Sequence, residues 1–321
     1  MIDALMGIYR GAVPGACVAV LQDGKAVVRR AYGLADLEEC VAATPATNYR
    51  LASMTKQFTA AAILLLAEDG LLSIDDTAHK WLPALPHSAN AVLVRHLLAH
   101  TSGVIDFEDL IPHGSSVQLH DADVLALLEA HDRSYFPSGT RFRYSNSGYI
   151  LLASIVARAS GTNFAAFLQR RIFQPLGMQS TVAFEAGVSE VAHRAFGYGN
   201  FDGCWKRMDQ DLTSATLGDG GIYSSIDDLA KWDAALYDGR LLHPESLRQA
   251  FTAAAESGDP DVRYGFGWRL SGDALWHSGE SIGFRNVIVR YPQRRTTVIV
   301  LTNRGYPEPY PMALAIAEMF R

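Results

Sequence analysis

The chain has 321 residues, 49% of them hydrophobic and 19% charged, an ordinary globular composition that excludes disordered, collagen-like and coiled-coil proteins. Its 34 acidic and 28 basic residues give a net charge of -6 with no Lys/Arg run, so nucleic acid is not an expected partner. The longest apolar stretch, Ala60 to Ala67, falls far short of the ~20 residues that cross a bilayer, and no membrane span is expected.

Residues 1 to 11 read as a short helix. Asp3 and the lack of a basic segment before it argue for mature structure rather than a leader. The expected location is cytoplasmic as the sequence stands, and periplasmic or secreted if a leader has been removed. Two β-rich runs follow, Ala16 to Leu21 and Ala26 to Tyr32, joined by Gln22-Asp23-Gly24-Lys25, whose Asp-Gly pair predicts a hairpin. The segment Ser53 to Asp69 predicts a helix with Ser53 at its N-terminus and Gly70 as its stop.

From Ile74 to about Leu236 the pattern is mostly helical, with helices predicted at Val94 to His100, Asp121 to His131, Ser147 to Ala159, Phe164 to Ile172 and Ser225 to Leu236. The β pattern returns at Phe266 to Leu270, Ala274 to His277, Phe284 to Tyr291 and Thr296 to Thr302, before a last helix over Tyr310 to Phe320. Early and late strands share one antiparallel sheet only if the helical middle loops out of it. The fold class is therefore α/β plus all-α, an antiparallel sheet flanked by helices with an inserted helical domain. The expected division is 1–73 and 237–321 for the sheet domain and 74–236 for the helical one, with a ligand cleft between them. Cys17, Cys40 and Cys204 are too few and scattered for a disulfide framework or a CxxC site and are expected to be reduced and buried.

Ser53-Met54-Thr55-Lys56 puts a hydroxyl and an amine on one face of a helix start. A serine becomes a nucleophile when a nearby base takes its proton, and a desolvated lysine gives up its own more readily. A helix N-terminus adds N–H groups suited to a developing oxyanion. Alone, the same spacing also describes a capping serine followed by a surface lysine. Tyr144-Ser145-Asn146 lies on a loop before an apolar helix; a phenol beside an ammonium suits a general base, and Asn146 equally suits a helix cap. His277-Ser278-Gly279 closes a predicted strand, where backbone N–H groups can meet a substrate carbonyl.

Taken together and in this order, the three motifs resemble the serine hydrolases of the class C beta-lactamase and penicillin-recognising family, whose signature is S-x-x-K, Y-x-N, then K-T-G or H-x-G. The resemblance extends over Pro14-Gly15-Ala16, Leu51 to Ala60, His96 to Gly103 and Gly220 to Ser225. It implies a beta-lactamase/transpeptidase-like fold, Ser53 as acylated nucleophile, Lys56 and Tyr144 sharing proton transfer, and Asn146 positioning Lys56 and substrate. The implied oxyanion hole is the backbone N–H of Ser53 and Glu280, with His277, Ser278 and Gly279 beside it. The expected substrate is a small-molecule or peptide-like ester or amide, with neither cofactor nor metal, and the chain is taken as a monomer.

His277 stands where most beta-lactamases of this kind carry Lys, and no E-x-x-L-N is present. At most weak beta-lactamase activity is expected, and H-x-G variants resemble D-aminopeptidases, D-alanyl-D-alanine carboxypeptidases and esterases. A carboxylesterase and a non-catalytic penicillin-binding-like sensor or scaffold stay open as alternatives. If His277 binds substrate carboxylates as a cation, it is expected to titrate near ~6.5. Glu280, at ~5 Å and an effective dielectric of ~20, would oppose an oxyanion by ~3 kcal/mol. It must point away or meet a cation, and a substrate ammonium is one such cation. Gly279-Glu280-Ser281-Ile282-Gly283 matches G-x-S-x-G, but strand-like residues follow where that elbow needs a helix. His96 and His100 lack the Glu and the third ligand of a zinc site. Asp75-Asp76 and Asp227-Asp228 are read as helix caps, and Arg285 as a solvated strand residue.

Overall fold

The computed structural model describes residues 1–320. Strand β1 (Ala16–Gln22) alternates between two cores, with Cys17, Ala19 and Leu21 in one and Ala16, Val18 and Val20 in the other. A strand covered on both faces reads as a near-continuous apolar run, which is why its sequence carries little polar alternation. The hairpin to β2 (Lys25–Tyr32) turns through Asp23 and Gly24 at φ 49° and 75°, the doubly positive geometry that Asp-Gly favours.

The C-terminal part adds β3 (Ala255–Glu256), β4 (Arg263–Tyr264), β5 (Arg269–Ser271), β6 (Ala274–Ser281), β7 (Phe284–Tyr291) and β8 (Thr296–Thr302). All eight strands form one antiparallel sheet in the order β3-β4-β5-β6-β7-β8-β1-β2. Strand β8 pairs with β1 from Ala16↔Thr302 to Gln22↔Thr296, so everything between β2 and β3 leaves and re-enters the sheet. Six strands form at this end rather than the four expected. The strand expected over Phe266 to Leu270 is confined to Arg269–Ser271, and that expected to stop at His277 runs on to Ser281. Pairing explains the extension: β7 holds the backbone of Ser278, Gly279 and Glu280 opposite Val287, Asn286 and Arg285, overriding their weak intrinsic strand preference.

The middle of the chain supplies α1 (Lys56–Glu68), α2 (Val94–Leu98), α3 (Asp121–Glu129), α4 (Asn146–Ser160), α5 (Phe164–Leu168) and α6 (Ile226–Asp238). Helix α1 packs against α4, while α7 (Tyr310–Ala317) covers β7 and β8. Helix α4 is bounded by Ser145, whose side chain accepts from the Gly148 N–H, and by Gly161 at φ 68°, a serine N-cap and a left-handed stop. The middle is not wholly helical: Val182–Ala183 and Tyr49–Arg50 both pair with Ile222–Ser224, and Tyr198–Phe201 forms a hairpin with Cys204–Arg207. Helix α6, grouped by the sequence with the helical region, lies against β1, β2 and β8.

Smaller expectations also need correcting. Only Cys17 is buried; Cys40 and Cys204 are exposed. Helix α6 is capped by Ser225, while Asp227 pairs with Arg29 and buried Asp228 accepts from Ser180 and Thr181. Arg285 is not solvated but ion-paired with Glu280. No helix among the described residues is by itself long and apolar enough to cross a membrane.

Candidate active site

The predicted nucleophile sits in a 3-10 turn, Ala52–Thr55, that feeds directly into α1 at Lys56. Ala52 takes φ 49°, a left-handed conformation uncommon for a residue with a Cβ. Strand β6 runs against this turn, and a Cβ on Gly279 would lie 1.9 Å from the Leu51 carbonyl oxygen. Glycine is therefore what lets the third motif lie alongside the first.

Lys56 is fully buried and its ammonium is held from three directions. Nζ donates to Ser53 Oγ at 3.0 Å, to Asn146 Oδ1 at 2.9 Å and to the Asp219 carbonyl at 3.0 Å. Asn146 opens α4, with its backbone N–H on Asp106 at 2.8 Å and its Nδ2 on Glu108 at 2.9 Å. The Glu108 carboxylate takes the amide nitrogen, so the amide oxygen faces Lys56. Burial raises the Glu108 carboxyl above its usual range. An amide oxygen and a peptide carbonyl can only accept. With both occupied by Lys56 N–H groups, the third position on Nζ points at Ser53, as a donor when protonated and as a lone pair when neutral.

An aromatic wall closes the other side. The Tyr144 ring lies 4.9 Å from Lys56 Nζ and the Tyr149 ring 5.5 Å, and the His100 ring is tilted 34° against Tyr144 at 4.3 Å. The Tyr144 hydroxyl is buried and makes no hydrogen bond; its ring is brought to Lys56, but its oxygen is not joined to Ser53. His100 takes φ 58° and accepts the Ser145 N–H on Nδ1 at 3.1 Å. Burial first, and Lys56 second, hold its pKa well below the usual value.

His277 does not fit the expectation of a substrate-facing cation. It is 1% exposed. Its Nδ1 donates to the Ser278 carbonyl at 2.6 Å, leaving Nε2 to accept from the Tyr264 hydroxyl at 3.0 Å. Burial, then Arg269, hold its pKa well below the usual 6.5, so the imidazole is neutral and structural near pH 7. Ser278 is half-buried on β6. Glu280 meets a cation from its own chain, Arg285, directly opposite on β7.

Ser53 and Asn146 open onto a small cleft of about 90 Å3 whose walls include Arg50, Glu108, Asp211, Asp219 and Glu280. Asp219 has an unpartnered buried oxygen, Oδ1, and burial raises its carboxyl above the usual range against the pull of Lys56. Ser281 lines the same cleft but ends β6 and turns directly into β7, not into the helix that a nucleophile elbow requires. His96 and His100 do not converge: His96 Nδ1 is 2.5 Å from Ser138 Oγ, while His100 joins the aromatic wall. Glu108, His100, Asp219 and Tyr264 escaped reading from the residues as members of the site. For His100 a signal existed in the run His96 to Gly103, and for Asp219 in its place beside Gly220.

A model of the family described as Beta-lactamase matches residues 1–319. The chain belongs to the beta-lactamase family. Penicillin-binding protein 4* of Bacillus subtilis (strain 168) is 31% identical over 92% of this chain and 70% of its own length. A D-aminopeptidase of Gluconobacter oxydans (strain 621H) is 29% identical over 94% of this chain, which spans only 58% of that relative. Among solved structures, a penicillin-binding protein from Bacillus halodurans superposes with a TM-score of 0.85 at 29% identity, covering 100% of this chain and 99% of its own. The beta-lactamase/transpeptidase-like fold and the serine-hydrolase class of this family member follow from these matches together with the antiparallel sheet and flanking helices described above.

Proposed function

We propose that this beta-lactamase family member hydrolyses an ester or amide carbonyl through an acyl-enzyme on Ser53. The observation that carries the reading is the Lys56 amine, buried, 3.0 Å from Ser53 Oγ and fixed on its other side by Asn146 and Asp219 oxygens. Neutral Lys56 takes the Ser53 proton as Oγ attacks the carbonyl carbon. The C–N or C–O bond then breaks, and the leaving group takes a proton from Tyr144, whose phenolate is stabilised beside the protonated Lys56. Water gives a proton to this phenolate as it attacks the acyl carbon; the bond from the acyl carbon to Oγ breaks, the acid leaves, and Lys56 returns its proton to Ser53 Oγ. The Tyr144 hydroxyl makes no hydrogen bond within the chain, and catalytic hydrogen bonds commonly tighten only in the substrate complex.

The backbone N–H groups of Ser53 and Glu280 are the proposed oxyanion donors. Loss of one such donor typically costs about 100- to 1000-fold in rate. The Arg285 guanidinium on Glu280 offsets the carboxylate that would otherwise oppose the oxyanion. A neutral, buried His277 leaves the third motif with no cation for a substrate carboxylate, which favours aminopeptidase- or esterase-like substrates over carboxylate-anchored lactams. The similarity to a D-aminopeptidase supports an aminoacyl amide or ester as the acyl donor.

A fluorophosphonate probe tests the reading. It is expected to label the chain at Ser53, and Ser53→Ala is expected to abolish both labelling and hydrolysis of p-nitrophenyl esters. Labelling elsewhere, or a Ser53→Ala chain that stays active, overturns it.

A further inference from the structure

The Asp219 carbonyl that meets Lys56 belongs to a segment bound residue by residue to the helices around it. The Leu217 N–H donates to Asp121 Oδ1 at 2.7 Å, Thr59 Oγ1 donates to the Gly218 carbonyl at 2.6 Å, and the Asp219 carbonyl accepts from Lys56 Nζ at 3.0 Å. Thr59 and Lys56 lie on α1, and Asp121 opens α3. Helix α4 closes another side: a Cβ on Gly218 would stand 2.4 Å from the Tyr149 carbonyl oxygen, so the segment has no room to shift that way.

Asp121 is not spent on capping its own helix. The His120 N–H is taken by Asp123 at 2.9 Å, which leaves the Asp121 carboxylate to a segment 96 positions along the chain. The acids that face it are Asp219, on the segment it holds, and Glu185; Arg158 of α4 lines the same surface groove of about 280 Å3. Burial first, with Asp219 and Glu185 adding and the Leu217 and Gly218 N–H groups opposing, pushes the carboxyl up to about 7. An ionised carboxylate accepts on both oxygens, and such charge-assisted bonds are the strong ones. A protonated carboxyl turns one oxygen into a donor, and a second donor facing backbone N–H groups weakens the hold.

We infer that Asp121 is a positioning residue for Lys56: its ionised carboxylate fixes the Leu217–Asp219 segment, and through it the carbonyl that aims the buried amine at Ser53. This rests on the acyl-enzyme reading above and deepens it by naming a control on the base from outside the cleft. The carboxylate touches neither Ser53 nor Lys56; it acts through the peptide groups between them.

The experiment measures the rate at which a fluorophosphonate labels Ser53 in the wild type and in Asp121→Asn, from about pH 5.5 to about pH 8.5, with p-nitrophenyl acetate hydrolysis alongside. In the ratio of the two rates the titration of Lys56 itself cancels. At the alkaline end Asp121→Asn is expected to be slower by about 10- to 100-fold, the scale of a base displaced by ~1 Å, with ester hydrolysis losing kcat rather than gaining KM. The ratio is expected to climb towards one as the pH falls through the neutral range, because the wild-type carboxyl is then protonated and the amide mimics it. Asp121→Glu, which keeps the charge, is expected to recover part of the alkaline rate, and Asp121→Ser carries the same readout if Asp121→Asn does not fold. A ratio near one at every pH, or a deficit that is the same at every pH as a purely structural role would give, overturns the inference while Ser53 labelling persists. A wild type that is not labelled at Ser53 overturns the underlying reading instead.

Discussion

Lys56 and Arg290 are both fully buried cations, and they are solvated by the protein in opposite ways. Arg290 has a counter-ion: its Nε donates to Asp233 Oδ1 at 2.6 Å, Thr297 donates to the same oxygen at 2.8 Å, and the Tyr237 ring lies 4.6 Å from the guanidinium. Lys56 has none; its three partners are a hydroxyl, an amide oxygen and a peptide carbonyl. A paired charge under α6 ties helix to sheet, and removing one partner strands the other. An amine held only by neutral acceptors can lose its proton, and then take one from Ser53, without breaking an ion pair. The difference separates a cation that holds the fold from a cation that serves chemistry.

The contrast is broken most severely at Lys56. Lys56→Met is expected to slow ester hydrolysis by about 10^4-fold, near the upper limit for a general base, while changing unfolding stability by no more than about 1 kcal/mol. Steady-state kinetics and urea unfolding on the same preparation check both halves. A stability loss as large as that of the next variant would erase the distinction.

Asp233→Ala is expected to cost about 3–5 kcal/mol of stability, because it leaves the Arg290 guanidinium buried and unpaired. The folded fraction is expected to keep its Ser53 labelling. Thermal and urea unfolding measure the first, and titration with the fluorophosphonate probe the second.

A third outcome concerns the imidazoles near Lys56. Burial, with Lys56 next for His100 and Arg269 next for His277, holds both pKa values well below 6.5. As pH falls, the unfolded chain takes up these protons first. The stability they contribute is thus complete above about pH 6.5 and declines below it, by about 1.4 kcal/mol per pH unit for each imidazole until the folded state also protonates. Urea unfolding between pH 7 and pH 5 reads the slope, and His277→Gln is expected to lose the share due to that residue. A slope unchanged in that variant would mean that His277 titrates normally.

The smallest effect is expected at the surface pair. Glu280 is 68% exposed at its side chain, so Arg285→Ala is expected to cost less than about 1 kcal/mol of stability. It does remove the cation that offsets Glu280, and ester hydrolysis is expected to fall by more than stability does. Equal kcat/KM in the variant would show that the Glu280 charge does not reach the oxyanion position.

Much of the framework was legible because it is written locally. The Asp23-Gly24 turn, the apolar run of β1, the helix after Ser53 and the serine-lysine spacing each depend on residues within a few positions of one another. The extension of β6 through Gly279 was not legible, because the hydrogen-bonding partner β7 and the approach of Leu51 decide it, not the propensity of Ser278-Gly279-Glu280. The neutral state of His277 escaped for a related reason. A histidine in a motif looks titratable until Tyr264 and the surrounding burial remove it from water.

The amino-acid order by itself determined the sheet-plus-helices class, the family resemblance and the identity of the serine, lysine, tyrosine and asparagine gathered around the cleft, since periodicity and motif spacing survive in one dimension. Only the tertiary structure decided what surrounds each charge: that Lys56 finds the Asp219 carbonyl 163 positions away, that Glu280 is met by Arg285, and that Asp219 keeps an oxygen without a donor. Solvation and Coulomb energies depend on distance through space, and distance through space is what the linear chain does not state.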